Sequence, residues 1–224
     1  MYTYLLINFF TLLFPVLFSF EKKVRFVTLW RFVWPAIITS LLIFVVWDHF
    51  FTIWEVWGFN PKYISGILLW ALPLEEILFF ITVPFACLFL YAVLNFVVKK
   101  DILKWVARPL GIVLMLLCIW LIFQYPDKLY TSVAALFAVT LLSWHHVFFP
   151  KPWLGRFWLT YIVCCIPFFV VNGILTSLPV VTYNSEFILG IRLYTIPVED
   201  LIYQLDLLLL NVTLYEKQKT YQRG

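Results

Sequence analysis

The sequence predicts an all-α integral membrane protein with seven transmembrane helices. It is expected to form two parallel three-helix repeats joined by a connector helix, N-terminus outside and C-terminus in the cytoplasm. Three observations carry this expectation. Of 224 residues, 64% are apolar and only 12% charged, with aromatics at 21%, whereas a soluble domain is roughly 45–50% apolar and about 25% charged. The apolar residues fall into seven runs long enough to cross a hydrocarbon core of about 30 Å. A polar motif recurs in two of those runs at a fixed spacing. The composition, with a mean hydropathy of +0.96, excludes an ordinary soluble fold, and it excludes disorder, which needs low hydrophobicity. The formal charge of +4 is dispersed in small clusters beside apolar runs, a pattern that orients helices and makes no nucleic-acid footprint.

The seven runs are Tyr2–Phe20, Val27–Phe51, Leu72–Val98, Ala107–Phe123, Tyr130–Phe149, Phe157–Leu178 and Pro197–Tyr215. The first lacks a preceding basic region and a small-residue cleavage site, so it reads as a span and not as a secretory leader. Basic residues follow the odd-numbered runs: Lys22, Lys23, Arg25 and Arg31; Lys99, Lys100, Lys104 and Arg108; Lys151 and Arg156; Lys217, Lys219 and Arg223. The intervening loops hold only Lys62, Lys128 and Arg192. The positive-inside rule turns this alternation into the stated orientation, in the cytoplasmic membrane of the cell. Cys87, Cys118, Cys164 and Cys165 lie within apolar runs without CxxC spacing and read as small packing residues.

Residues 60–79 read NPKYISGILLWALPLEEILF, and residues 184–203 read NSEFILGIRLYTIPVEDLIY, offset throughout by 124 positions. Identities fall at Asn60/Asn184, Gly66/Gly190, Pro73/Pro197 and Glu75/Glu199, among others, with Glu76/Asp200 and Phe79/Tyr203 as close matches. Apolar sequence matches Leu and Ile by chance, but it does not so match an Asn, a Gly, a Pro and an acid pair. The repetition assigns residues 1–98 to a first repeat of three spans and 99–124 to a connector carrying the fourth. Residues 125–215 form the second repeat and 216–224 a cytoplasmic tail. One extra crossing lets both copies point the same way, as in parallel transporter halves.

Each copy carries G-x6-P-x-E-[ED] at the start of its last helix. Proline suits a first helical turn, which sets Glu75, Glu76, Glu199 and Asp200 in the turn after Pro73 and Pro197. Acids within a span are expensive and mark function; the plainer reading is that they cap a helix N-terminus. Adjacent helical residues point about 100° apart, so one of each pair should face the bundle interior. The strictly identical Glu75 and Glu199 are the expected inward-facing members. Trp70 and Phe79, close to the acids, and their counterparts Tyr194 and Tyr203 are expected to line the site. Asn60 and Asn184 are expected to close turns, and Arg192 to pair with an acid across the outer loop. Asp206 shares the face of Glu199, but its counterpart is Thr82. His145 and His146 read as interfacial polar residues, and no metal site is expected.

The motif copies PLEE (Pro73–Glu76) and PVED (Pro197–Asp200) resemble those of the membrane-embedded lycopene cyclase family, as do the surrounding WGFNPKYISGILLWALPLEEILFF and NGILTSLPVVTYNSEFILGIRLYTIPVED. The resemblance covers both repeats, as a fused two-half protein. It implies a lycopene β-cyclase, an isomerase of carotenoid biosynthesis that closes the linear ends of lycopene into β-ionone rings. It also implies Glu75, Glu76, Glu199 and Asp200 as acid/base groups, with Pro73 and Pro197 as the motif scaffold; the repeat itself adds Gly66, Gly190, Asn60, Asn184 and Arg192 as structural residues of the motif. A dry, aromatic-rich bundle with carboxyl groups suits such chemistry. No G-x-G-x-x-G follows a strand to hold a flavin or nicotinamide, so no cofactor is expected. The expected partners are lycopene and the bilayer; other pathway enzymes or a second copy are compatible, and nucleic acid is not. The alternatives are a cyclase of another or longer carotenoid, a non-catalytic carotenoid-binding protein and a proton-coupled transporter. A membrane prenyltransferase lacks its DDxxD or DxxxD here, and a retinal receptor lacks its lysine in the last span.

Overall fold

The computed structural model describes residues 2–221, and within them all seven apolar runs form helices. These are α1 (Thr3–Phe18), α2 (Trp30–Ile53, entered by a 3-10 turn at Phe26–Leu29), α3 (Leu74–Val97), α4 (Ala107–Gln124), α5 (Leu129–Leu142), α6 (Leu154–Ser177) and α7 (Glu199–Tyr221). A π-helical turn, Ser143–Phe148, extends α5. Five helical segments, Phe26–Ile53, Leu74–Val97, Ala107–Gln124, Leu129–Phe148 and Leu154–Ser177, are long and apolar enough to cross a membrane. The helix α1 is apolar but has only 16 residues. The helix α7 is more polar than expected for the seventh run, and it continues past Tyr215 through Lys217 and Lys219 to Tyr221. These lysines therefore extend the helix where a tail was expected; Arg223 lies outside the described residues.

Two helix pairs recur in the packing: α1 lies on α3 and α5 on α7. The helix α2 packs against both α3 and α7, α6 packs against α3, and α4 lies on α5. Small side chains permit the close approach around α5, where Ala134, Ala135 and Ala138 are fully buried. The main core is apolar, built by residues such as Ile37, Phe85, Leu88, Leu142 and Leu208. At the end opposite the acids, the Arg156 guanidinium donates to the Asn95 side chain (3.0 Å) and to the Val98 (3.2 Å) and Lys99 (3.2 Å) carbonyls. It thereby binds the open carbonyl end of α3 to α6.

Six short strands make the loop end of the bundle, and none was legible as periodicity because each holds two or three residues. The strands β1 (Trp57–Phe59) and β4 (Val181–Tyr183) pair antiparallel, Gly58 opposite Thr182. Those two residues stand 124 positions apart, the spacing of the motif copies. The flanking bonds follow it too: Asn60 N–H donates to the Val180 carbonyl (2.9 Å) and Asn184 N–H to the Val56 carbonyl (3.0 Å). The strands β2 (Leu68–Leu69) and β3 (Leu72–Pro73) form one tight hairpin, and β5 (Arg192–Leu193) with β6 (Ile196–Pro197) the other. Pro73 and Pro197 therefore end strands, and Pro73 is the extended residue before α3 (ψ 146°) and not part of its first turn.

The Asn60 and Asn184 side chains accept from the Lys62 and Glu186 amides, each at 3.0 Å, and close the expected turns. Gly66 and Gly190 take φ of +86° and +79°, with open space where a Cβ would lie. Conformation alone thus demands glycine. Gly190→Ala is expected to lower stability by about 1 kcal/mol, read as a lower midpoint of thermal unfolding in detergent.

Candidate active site

The two acids of each motif part company at the first turn of their helix. Glu75 and Glu199 turn back to the loops. The Ser65 amide donates to Glu75 Oε1 (2.6 Å), and the Leu189 amide donates to Glu199 Oε1 (2.6 Å), again 124 residues apart. Glu199 Oε1 also accepts from the Thr131 hydroxyl of α5 (2.7 Å). Each of these buried carboxyls fastens the loop ten residues before it to the start of the helix. The expectation that they face the bundle interior is reversed.

The inward-facing acids are Glu76 and Asp200, which line one cavity of about 70 Å³ between the two helix pairs. The Tyr4 hydroxyl of α1 donates to Glu76 Oε2 (2.6 Å), and the corresponding Tyr130 hydroxyl of α5 donates to Asp200 Oδ1 (2.8 Å). Tyr183, from β4, donates a second hydroxyl to Asp200, at Oδ2 (2.8 Å). Burial first, and then the neighbouring Asp200 carboxyl, push the Tyr183 hydroxyl well above its ordinary range, so it stays a proton donor to that acid.

A third carboxyl reaches the same cavity. Asp48, on α2, accepts from the Tyr203 hydroxyl at 3.3 Å and leaves its other oxygen without a partner among the described residues. Sequence reasoning passed over Asp48, Tyr4, Tyr130 and Tyr183. A signal existed for the first, since an acid inside an apolar run is costly and its counterpart at the repeat spacing, Asn172, is polar and lines the same cavity. The remaining wall is largely aromatic, with Trp57, Phe59, Phe79, Phe168 and Tyr203. The site thus sets three carboxyls, four hydroxyl donors and several ring faces around one small apolar space. Such an arrangement can give a proton, take one back and stabilise positive charge between the two events.

Of the expected lining residues, Phe79 and Tyr203 are present. Trp70 and Tyr194 are not: they occupy the tips of the two hairpins, 72% and 89% exposed, with φ of +58° and +60°. Two-residue hairpin tips need such backbone angles, which turn these side chains outward. Arg192 does not meet an acid directly; it donates to the Thr195 carbonyl (2.6 Å) and its guanidinium lies 5.8 Å from the Tyr183 ring centroid. Asp206 is buried on α7, does not line the cavity, and neither of its oxygens has a hydrogen-bond partner among the described residues. His145 and His146 are buried within the bundle: Trp158 donates to His146 Nε2 (3.1 Å), and His145 Nε2 meets the Thr213 hydroxyl (2.8 Å).

The sequence model of the lycopene cyclase family matches residues 1–94 and 127–217 of this chain, two segments that hold every residue of the cavity. The unmatched stretch between them contains α4. No curated protein and no solved structure matches the chain.

Proposed function

We propose, because the chain belongs to the lycopene cyclase family, that it closes the linear ends of lycopene into β-ionone rings by acid–base catalysis in the cavity of Glu76 and Asp200. The observation that carries the reading is that the second acid of each motif copy, from different helix pairs, meets the other in one aromatic-walled space.

Glu76 gives its proton to the terminal double bond and leaves a tertiary cation. The π electrons of the neighbouring double bond attack that cation, closing the ring and moving the positive charge into it. Asp200 removes the adjacent ring proton, and the bonding pair becomes the ring double bond. One proton enters, one leaves and no electrons are exchanged, so the reaction is an isomerisation. The roles follow from the donors. Two hydroxyls on Asp200 favour its carboxylate form, whereas Glu76 has one. To reset the site, the proton returns from Asp200 to Glu76, with Asp48 and the tyrosine hydroxyls as the polar groups along that route.

The cation would sit against the ring faces of Phe79, Trp57 and Tyr203. A desolvated cation–π contact is worth about 2 kcal/mol, so Phe79→Leu should slow ring closure about thirtyfold, measured as initial rate at equal folded protein. The same reading takes α1 and α7 as the two remaining spans. It sets the loop end with its hairpins outside and the Arg156 end in the cytoplasm, as the basic residues require. The 124-residue spacing of the loop hydrogen bonds supports two fused halves. Expression in a lycopene-accumulating bacterium, followed by pigment chromatography, tests the function. Conversion to γ- or β-carotene is expected, and unchanged lycopene beside abundant membrane protein would count against the lycopene assignment.

A further inference from the structure

The acid cavity is small, about 70 Å³, and cannot hold more than an end of a long polyene. It adjoins a second space. Phe79, Val83, Phe168, Asn172 and Gln204 line both this cavity and a narrower space below it. Thr11, Ala86, Leu90, Pro167 and Val171 then connect that space to an apolar groove of about 550 Å³ between α1, α3 and α6. Leu6, Phe10, Phe14 and Val170 on the groove are exposed at the lateral surface of the bundle.

The related position on the other helix pair, between α5, α7 and α2, is closed. At the spacing of 124 residues, Val171 corresponds to Trp47, Gln204 to Phe80 and Ala86 to Leu210. Thr11 corresponds to Phe137 at the spacing of 126 that relates Tyr4 to Tyr130. In each pair the bulkier or more apolar residue stands on the closed side. There Phe44, Trp47, Phe80 and Phe137 pack as one cluster, with Phe44–Trp47 centroids at 5.6 Å, Phe44–Phe80 at 5.9 Å and Trp47–Phe137 at 5.6 Å.

We propose that the groove between α1, α3 and α6 binds the linear tail of the polyene and admits its end to the acids from the lipid, one end at a time. This rests on the cyclase reading. With the related side filled by aromatic rings, a substrate cyclised at one end leaves through the same groove and re-enters reversed. The monocyclic product is then a free intermediate.

The experiment compares the wild-type chain, reconstituted in lipid, with Thr11→Phe/Val171→Trp, which fills the groove with the residues of the closed side. Each is given lycopene and a truncated polyene bearing the same linear end on a short tail, at equal amounts of monodisperse protein. The filled variant is expected to lose lycopene conversion at least tenfold and to keep that of the truncated polyene. In the wild type, monocyclic product should accumulate first and be diluted by lycopene added later. Wild-type lycopene conversion by the filled variant overturns the passage. Equal loss of both substrates also overturns it, because the block then lies in the cavity, and so does bicyclic product formed without a free monocyclic stage. Should the double variant fail to fold, Ala86→Leu narrows the same passage and carries the same expectation. A wild-type chain inert towards both polyenes sinks the cyclase reading itself, a distinct result.

Discussion

Glu76→Gln and Asp200→Asn are each expected to lower ring closure about 10²–10⁴-fold, the range that a positioned acid or base contributes, with folded protein retained. Each substitution keeps the size of the side chain. Glu76→Gln keeps an oxygen able to accept from Tyr4, and Asp200→Asn keeps one that accepts from Tyr130 or Tyr183, the other hydroxyl turning to accept from the amide N–H. Packing and hydrogen bonding therefore survive while the exchangeable carboxyl proton is lost. Glu75→Gln, one residue away, is expected to leave most of the activity, since the amide oxygen still accepts from Ser65. Pigment chromatography beside an immunoblot of the membrane fraction reads both. Equal losses in Glu75→Gln and Glu76→Gln would show that orientation into the cavity does not decide the role.

The second large effect falls on stability. Glu199→Ala removes the acceptor for the Leu189 amide and the Thr131 hydroxyl, and an unpaired buried donor costs about 1–3 kcal/mol. A loss of about 3 kcal/mol is expected, read as a lower thermal midpoint in detergent. Glu199→Gln retains an acceptor oxygen and should lose far less. Glu75→Ala should fall between them, because Ser65 is the donor Glu75 Oε1 holds. Activity lost by Glu199→Gln at unchanged stability would move this acid from fastening a loop to the chemistry.

The helices were legible because apolar runs of this length admit little else; six, with their flanking 3-10 and π turns, lie close to the sequence boundaries, and α7 runs on from Tyr215 to Tyr221. The site was legible only as far as the motif. Periodicity fixes that neighbouring acids point apart, but the loop decides which one turns inward. The amides of Ser65 and Leu189 come back from ten residues earlier to claim Glu75 and Glu199. Strict identity at that position fits a shared loop geometry as readily as shared chemistry. Trp70 and Tyr194 were misassigned for a related reason. Proximity in sequence to the acids means little when a two-residue hairpin intervenes and its tip faces away. Tyr4 and Tyr130 could not be singled out in a chain with 12 tyrosines. What selects them is the packing of α1 on α3 and of α5 on α7.

The most direct measurement is turnover by the purified chain in lipid vesicles, given lycopene and no flavin, nucleotide or oxidant, with products separated by chromatography. Acid–base cyclisation by the cavity carboxyls predicts monocyclic and then bicyclic carotene from the wild type and neither from Glu76→Gln. Lycopene recovered unchanged from folded wild-type protein, or rings formed as fast by Glu76→Gln, would contradict it.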